Sequence, residues 1–397
     1  MKYIDKLLQG AEVEWTTLGD TRFIEIANNN RKPVKSSNRT IGNIPYYGAN
    51  NIQDYVNGYT HNGTYILVAE DGTASVENYS IQWAVGKFWA NNHVHVLRGV
   101  GFIESRFIFH YLRTVNFIPF LTGGERAKLT KRKLQEIPIP ILCPNNPTKS
   151  LEIQRKLVEI LDKFTELEAE LEAELDCRKR QYEYYRNKLL TFDMLNTPPE
   201  KLNSINWLTI KDISKNISSG GTPRSNNATY YGGDIPWLRT QEVNFSDIWD
   251  TEVKITKEGM DASSAKYIPA NCVIIAMYGA TVGRVGINKI PLTTNQACAN
   301  IEVDENIALY RYVFHYLSSQ YEYIRSLGAG SQTNINARIV KGLKIPIPPL
   351  SEQQRIVSIL DKFDTLTSSI SEGLPKEIEL RRKQYEYYRE QLLSFRH

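Results

Sequence analysis

Residues 181–186 read QYEYYR, and the same six letters return at 384–389. Three further identities keep the same order: FHYL at 109–112 and 314–317, IPIP at 137–140 and 345–348, ILDKF at 160–164 and 359–363. Fainter echoes lie among them. Glu14-Trp15-Thr16-Thr17-Leu18 answers Asn206-Trp207-Leu208-Thr209-Ile210, and Gly42-Asn43-Ile44-Pro45 answers Gly233-Asp234-Ile235-Pro236. Leu67-Val68-Ala69 with Gly72 answers Ile274-Ile275-Ala276 with Gly279. All pairs are offset by about 190–210 residues, so the chain is two tandem copies of one unit. Each copy is a mixed domain of about 140 residues followed by a segment of about 45.

The closing segments read as long helices. Leu157, Leu161, Phe164, Glu168, Leu171, Leu175, Arg178, Tyr182, Tyr185, Leu189 and Phe192 follow the 4,3 spacing of a heptad seam. The second seam runs Ile356, Leu360, Phe363, Thr367, Ile370, Leu374, Ile378, Arg381, Tyr385, Tyr388, Leu392 and Phe395. Four extra residues around Gly373 and Pro375 form a stutter there, and Pro375 should kink the helix or end and restart it. Exposed seams of this length are unstable alone. The two are expected to pack on each other through Leu157, Leu161, Phe164, Leu171, Tyr182 and Tyr185 on one side, and Ile356, Leu360, Phe363, Tyr385 and Tyr388 on the other. The alternative places each helix on its own domain.

The domains preceding the helices are strand-rich, with β-type runs at 64–70, 94–97 and 272–277. An amphipathic helix is expected around 107–115 and again around 310–327. A glycine loop, a short helix and IPIP follow, and the alternating prolines make IPIP a stiff connector outside any ladder. The fold class is therefore α+β, two tandem mixed domains joined and separated by two long helices. The divisions fall at 1–145 and 196–349 for the domains, and at 146–195 and 350–397 for the helical regions. The domains have diverged while connectors and helices have not, which suggests a constant scaffold carrying two variable heads.

Composition narrows the function classes. The 397 residues carry 41% hydrophobic and 23% charged side chains, which excludes a disordered or collagen-like chain. No apolar run approaches the ~20 residues of a membrane span, and the N-terminus lacks a signal-peptide core, so a cytoplasmic protein is expected. Cys143, Cys177, Cys272 and Cys298 form no CxxC pair, arguing against disulfides or structural zinc. A net charge of +4 permits a nucleic-acid partner without demanding one.

The sequence carries no complete catalytic motif. Asn196-Thr197-Pro198-Pro199-Glu200 lacks the aromatic of an amine-orienting methyltransferase motif and reads as a linker. The glycines at 279, 283 and 286 have neither Rossmann nor P-loop spacing and read as a strand-edge turn. Asp234, Glu252 and Lys254 only loosely suggest a nuclease, and the first copy has no counterpart. His61, His93, His95, His110 and His315 form no metal set, and the two histidines of FHYL suit a buried structural role. No metal site and no catalytic residue is assigned.

Other features suit DNA. Arg126, Lys128 and Lys131 stand in a cationic loop and helix start able to neutralise phosphates. The matching place in the second copy offers Gln332, Asn334, Arg338 and Lys341, amides and cations that suit base edges in the major groove. Asn50, Asn51, Asn91, Asn92, Thr222, Arg224, Arg239, Gln241, Asn295 and Gln296 fill other polar loops at matched positions. The acidic run from Glu166 to Asp176 would repel DNA, so contact is expected at the heads.

Two diverged heads, each closed by IPIP and a helix with ILDKF and QYEYYR, resemble the specificity subunit of a type I restriction-modification enzyme. IPYYGANNIQDYVNGYT and ILVAEDG in the first head, and GDIPWLRT, AMYGATVG and TTNQA in the second, resemble that family's target recognition domains. The resemblance implies that each head reads one half of a bipartite double-stranded DNA target. It implies an antiparallel coiled coil with pseudo-two-fold symmetry that sets the gap and docks two methylation subunits and the restriction subunits. S-adenosylmethionine, ATP and Mg would belong to those partners, and this chain would be non-catalytic. The repeat ELEA-ELEA-EL at 166–175 is the expected ruler. A coiled-coil scaffold with protein-binding heads, or a nuclease or methyltransferase with unseen motifs, are the rival readings.

Overall fold

The computed structural model describes residues 12–123, 127–192, 205–328, 334–369 and 372–395. Two compact units divide the chain, and they do not follow chain order. The first takes in Met1–Glu172 with Glu377–His397, the second Ala173–Lys376.

In the first unit the strands are β1 (Val13–Thr17), β2 (Ile24–Ile26), β3 (Ile41–Tyr47), β4 (Ile52–Val56), β5 (His61–Ala69), β6 (Ile81–Ala90), β7 (Val94–Gly99) and β8 (Pro138–Leu142). Six of them form a sheet in the order β2-β7-β5-β6-β3-β4, with only β3 and β6 parallel. The apolar run at the end of β5 is buried on both faces. Ile66 and Val68 join the main core under helix α1 (Ser105–Leu112), while Tyr65 and Leu67 pack with Phe88 and Val96 behind the sheet. Helix α2 (Lys131–Gln135) is capped by Thr130, and α3 (Pro147–Leu190) runs 44 residues, about 66 Å at ~1.5 Å per residue.

The second unit repeats this plan with β9 (Asn206–Thr209), β10 (Ser214–Ser219), β11 (Tyr231–Leu238), β12 (Asp247–Ile248), β13 (Lys254–Ile255), β14 (Val273–Ala276), β15 (Val285–Asn288), β16 (Thr293–Thr294), β17 (Cys298–Val303) and β18 (Lys344–Ile347). Here the sheet is split into β10-β17-β14-β15-β12 and β13-β11-β16. The place of the long β6 is taken by β15 and β16, separated by Lys289-Ile290-Pro291-Leu292, where the proline has no amide for a ladder. Its helices are α4 (Lys257–Asp261), α5 (Tyr310–Ser319), α6 (Tyr321–Ser326), α7 (Ala337–Gly342) and α8 (Leu350–Ser368). The glycine-rich run at 279–286 forms the turn from β14 into β15, its last two residues, Val285 and Gly286, already in the strand.

Two expectations need correction. IPIP is no free connector, because β8 pairs with β1 and β18 with β9. Antiparallel ladders bond through alternate residues, and Leu18 N donates to Ile137 O while Cys143 N donates to Glu12 O, placing the bonded positions at odd numbers. Pro138 and Pro140 fall between them, where no amide is required. The bond from Ile210 N to Leu343 O puts Pro346 in the same safe phase. The second seam is also no continuous helix with a stutter; it ends and restarts, as one of the two outcomes expected of Pro375. Helix α8 stops at Ser368, and α9 (Gly373–Leu393) restarts with Pro375 in its first turn. Gly373 has φ +81°, and a Cβ there would lie 2.5 Å from the Thr365 carbonyl oxygen. Ile370 lies outside the described residues.

Three of the four repeated motifs, FHYL, ILDKF and QYEYYR, prove to be contact partners. In the first unit the first half of α3 packs antiparallel on α9, with Leu157 and Leu161 buried beside Tyr385 and Leu392, and Phe164 stacked on Tyr388 at 5.3 Å. In the second unit the last turns of α3 pack antiparallel on α8, with Leu190 beside Ile356 and Leu360, and Tyr185 stacked on Phe363 at 5.6 Å. The helices thus pair with each other and also seal their heads. His110 is fully buried. Its Nε2 faces Asp162 at 2.7 Å and its Nδ1 the Tyr385 hydroxyl at 3.0 Å. A carboxylate only accepts, so Nε2 carries the proton and the tyrosine donates to Nδ1. His315 repeats this with Asp361 at 2.6 Å and Tyr182 at 3.4 Å. Arg106 and Arg311 bond the same two carboxylates, at 2.7 Å and 3.0 Å.

Burial opposes ionisation of Asp162, but the hydrogen bonds from His110 and Arg106 outweigh it and hold the carboxyl below its usual range. Burial also pushes His61, His95 and His110 below the ordinary histidine value, against the pull of the carbonyl or carboxylate each one meets. The unfolded chain takes protons on these histidines below about pH 6.5 while the folded one stays neutral, so stability is lost as pH falls through that range. Melting temperature should therefore drop between pH 7.5 and pH 5.5. A flat profile would contradict neutral burial.

Candidate nucleic-acid interface

In the first unit four loops are joined by backbone hydrogen bonds. Asn91 N, after β6, donates to Tyr47 O at the end of β3, and Glu70 N, after β5, donates to His93 O. Leu129 N then donates to Glu70 O at 2.7 Å. Four segments, at 47–51, 70–74, 91–93 and 127–130, are thereby held side by side.

The second unit holds the same frame with different side chains. Asn295 N donates to Leu238 O, Met277 N to Ala297 O at 2.8 Å, and Ile335 N to Met277 O at 3.0 Å. Asn91 and Asn295 each accept from the amide two residues on, at 2.8 Å and 3.1 Å. Thr130 and Asn336 each cap the following short helix. Backbone bonds therefore equate 47, 70, 91 and 129 with 238, 277, 295 and 335, although almost no side chain matches.

The side chains proposed from sequence scatter over this frame. Asn91 is only 3% exposed, so it is a turn-former and offers nothing to a base. Asn50 is exposed, yet both ends of its amide are engaged, with Gly72 O and Ala74 N at 2.8 Å each. Asn51, Asn92 and Lys131 are exposed. Lys128 reaches Glu70 at 3.3 Å, which also meets Arg31 at 2.7 Å. The surrounding cationic cluster is thus partly neutralised, since Arg132 and Lys133 share Glu136 as well. In the second unit the Thr222 hydroxyl donates to the Gln296 side-chain carbonyl, bringing those two loops together. Arg239 is pinned between Glu242 at 3.4 Å and Glu252 at 2.8 Å, so little of its charge remains for phosphate. Arg224, Gln241, Gln296, Arg338 and Lys341 are exposed, and the Asn334 carbonyl accepts from Gly279 N at 3.4 Å. Arg126 and Gln332 lie outside the described residues.

Sequence reasoning gave no DNA-contact role to Asp71, His93 and Tyr278, which stand on the same frame. Asp71 and His93 are hydrogen-bonded to each other, and Tyr278 is 41% exposed. The glycine repeated at Gly72 and Gly279, with φ +69° and +84°, marks the turn that carries Asp71 and Tyr278 and was the available signal. Among the described residues no group of three His, Cys, Asp or Glu is placed to hold a metal ion.

Comparison with known proteins bears on this doubled frame. The model of the type I restriction modification DNA specificity domain matches residues 12–176 and again 205–380. The chain belongs to the type I restriction enzyme specificity subunits. A putative type I specificity subunit of Haemophilus influenzae is 47% identical over 99% of this chain and 98% of its own length. The EcoR124I/EcoR124II specificity subunit of Escherichia coli is 37% identical over 100% and 97%. The solved S subunit of M. genitalium, at 14% identity, shares the fold with a TM-score of 0.63 over 98% of both chains. This specificity subunit therefore has its two family domains in tandem, each carrying one copy of the four-loop frame. Among its described residues no helix is long and apolar enough to cross a membrane.

Proposed function

We propose that this subunit reads a bipartite double-stranded DNA target, each head one half, and that helix α3 sets the gap between the halves. The chain is the non-catalytic reader of a methyltransferase and endonuclease complex, and it works in the cytoplasm. One observation carries the reading: the same backbone frame is present in both heads with different exposed side chains, while the His-Asp-Tyr-Arg contacts of the junctions beneath are repeated. That is the pattern of two readers with different texts on one scaffold.

Two methylation subunits and the restriction subunits complete the complex, and S-adenosylmethionine, ATP and Mg belong to them. Support for two copies of one partner lies in the repeated helix segment. Tyr184 and Tyr387, at equivalent positions, are 58% and 60% exposed, and the neighbouring Arg186 and Arg389 each bury an Nε atom without a hydrogen-bond partner. The same surface presented twice suits the same partner twice.

Lys131, exposed at the start of α2, is assigned to phosphate. Affinity of the complex with its methylation partner should be measured against salt on target and unrelated duplexes. Lys131→Ala should weaken both alike and reduce the log–log salt slope by about one. Absence of duplex binding at any salt would favour heads that bind protein.

A further inference from the structure

Few side chains match between the two heads, but their backbone bonds match them residue by residue. Ala69 N donates to Ser80 O and Ala276 N to Arg284 O, at 3.0 Å and 2.9 Å, so Ala69 corresponds to Ala276. Counting on two residues pairs Asp71 with Tyr278. One residue beyond the paired turn-formers Asn91 and Asn295 stand Asn92 and Gln296. One residue before the buried Leu129 and Ile335 stand Lys128 and Asn334. In each case the framing residue is spent on the backbone or buried, and its neighbour is exposed or partly exposed.

Resting on the DNA reading proposed above, we propose that these three matched sites, 71/278, 92/296 and 128/334, are where each head reads base edges. The half-targets differ because the sites carry Asp, Asn and Lys in the first head and Tyr, Gln and Asn in the second. The chemistry of the two sets is distinct. Carboxylate and ammonium groups suit the cytosine amine and the guanine acceptors, whereas two amides and a phenol suit adenine and the thymine methyl. In the first head Asp71 is oriented by His93, and Lys128 by Glu70. In the second, Gln296 is steadied by Thr222 and Asn334 by the Gly279 amide. Side chains held in this way are positioned to discriminate at low entropic cost. Asn91 and Asn295 are thereby frame and not readers, whatever DNA is bound.

The test transfers the first head's set to the second: Tyr278→Asp, Gln296→Asn and Asn334→Lys in the full chain, expressed with its methylation partner. Methylated motifs are then sequenced in cells with the unaltered chain, the altered chain and neither. The expected result is a motif whose first half and gap are unchanged, and whose second half changes at no more than about three base pairs, one for each side chain. If the triple exchange abolishes methylation, Tyr278→Ala and Gln296→Ala, each removing an exposed side chain, are judged by the same criterion. A second half left intact by these variants overturns the assignment of sites while leaving a split, chain-dependent motif in place. Failure of the unaltered chain to direct any motif would instead sink the DNA reading itself.

Discussion

Replacing Asp162 by alanine should destabilise the first unit by about 3 kcal/mol, because it strands both Arg106 and the buried His110. Among the described residues Asp162 is the one carboxylate that meets these two groups, at 2.7 Å each. The equivalent change in the second unit should cost less, about 1–2 kcal/mol. Arg311 would keep Asp247 at 2.8 Å and Asp364 at 3.5 Å when Asp361 is removed. Burial raises the pKa of Asp364, but proximity to Arg311 gives it reason to ionise once Asp361 is gone. Denaturant unfolding of the two variants measures the asymmetry. Equal losses would mean that Asp247 and Asp364 do not compensate, and no loss for Asp162→Ala would mean the junction is not structural.

The second large effect is on the target. One further ELEA unit inserted after Ala173 should lengthen the non-specific gap by about one base pair and leave both half-sequences unchanged. Four residues add about 6 Å to a helix and turn it by about 400°, a net 40°. One base pair advances about 3.4 Å and turns about 34–36°. Twist matches one base pair while length would allow nearly two. Twist should decide, since a head rotated off its groove loses every contact, whereas a few ångströms can be taken up by tilt of the coil. The insertion point is favourable in the structure, because the first unit ends at Glu172 and the second begins at Ala173. Arg382 keeps Glu168 and Glu172, and Tyr185 keeps Phe363, on either side of the added turn. An unchanged gap, or a change in either half-sequence, would show that α3 does not set the spacing.

Much of this architecture was legible because the chain carries its own comparison. QYEYYR, ILDKF and FHYL stand out as identities, and the structure gives the reason: Tyr385, Asp162 and His110 touch one another, as do Tyr182, Asp361 and His315. What could not be read was which copy meets which. Tyr385 lies 275 residues from His110, and no local pattern reports a partner at that range. IPIP misled because a proline excludes ladder pairing only where its own amide is needed, and phase is a property of the partner strand. The site was harder still. Asn91 and Asn92 are adjacent and chemically alike, yet one closes a turn inside the head and the other faces outward. Asp71 and Tyr278 carry no shared letter at all. The echo of Leu67-Val68-Ala69 and Gly72 in Ile274-Ile275-Ala276 and Gly279 brackets them, but it took the backbone bonds around the two glycines to show that they occupy the same place in the loop frame.

The most direct measurement is the methylome of cells that contain the methylation partner, with and without this chain. The expected result is one new methylated motif, present only with the chain, made of two specified halves around an unspecified gap. A single continuous motif, or the same methylation in the absence of the chain, would contradict the account of two heads each reading half a target.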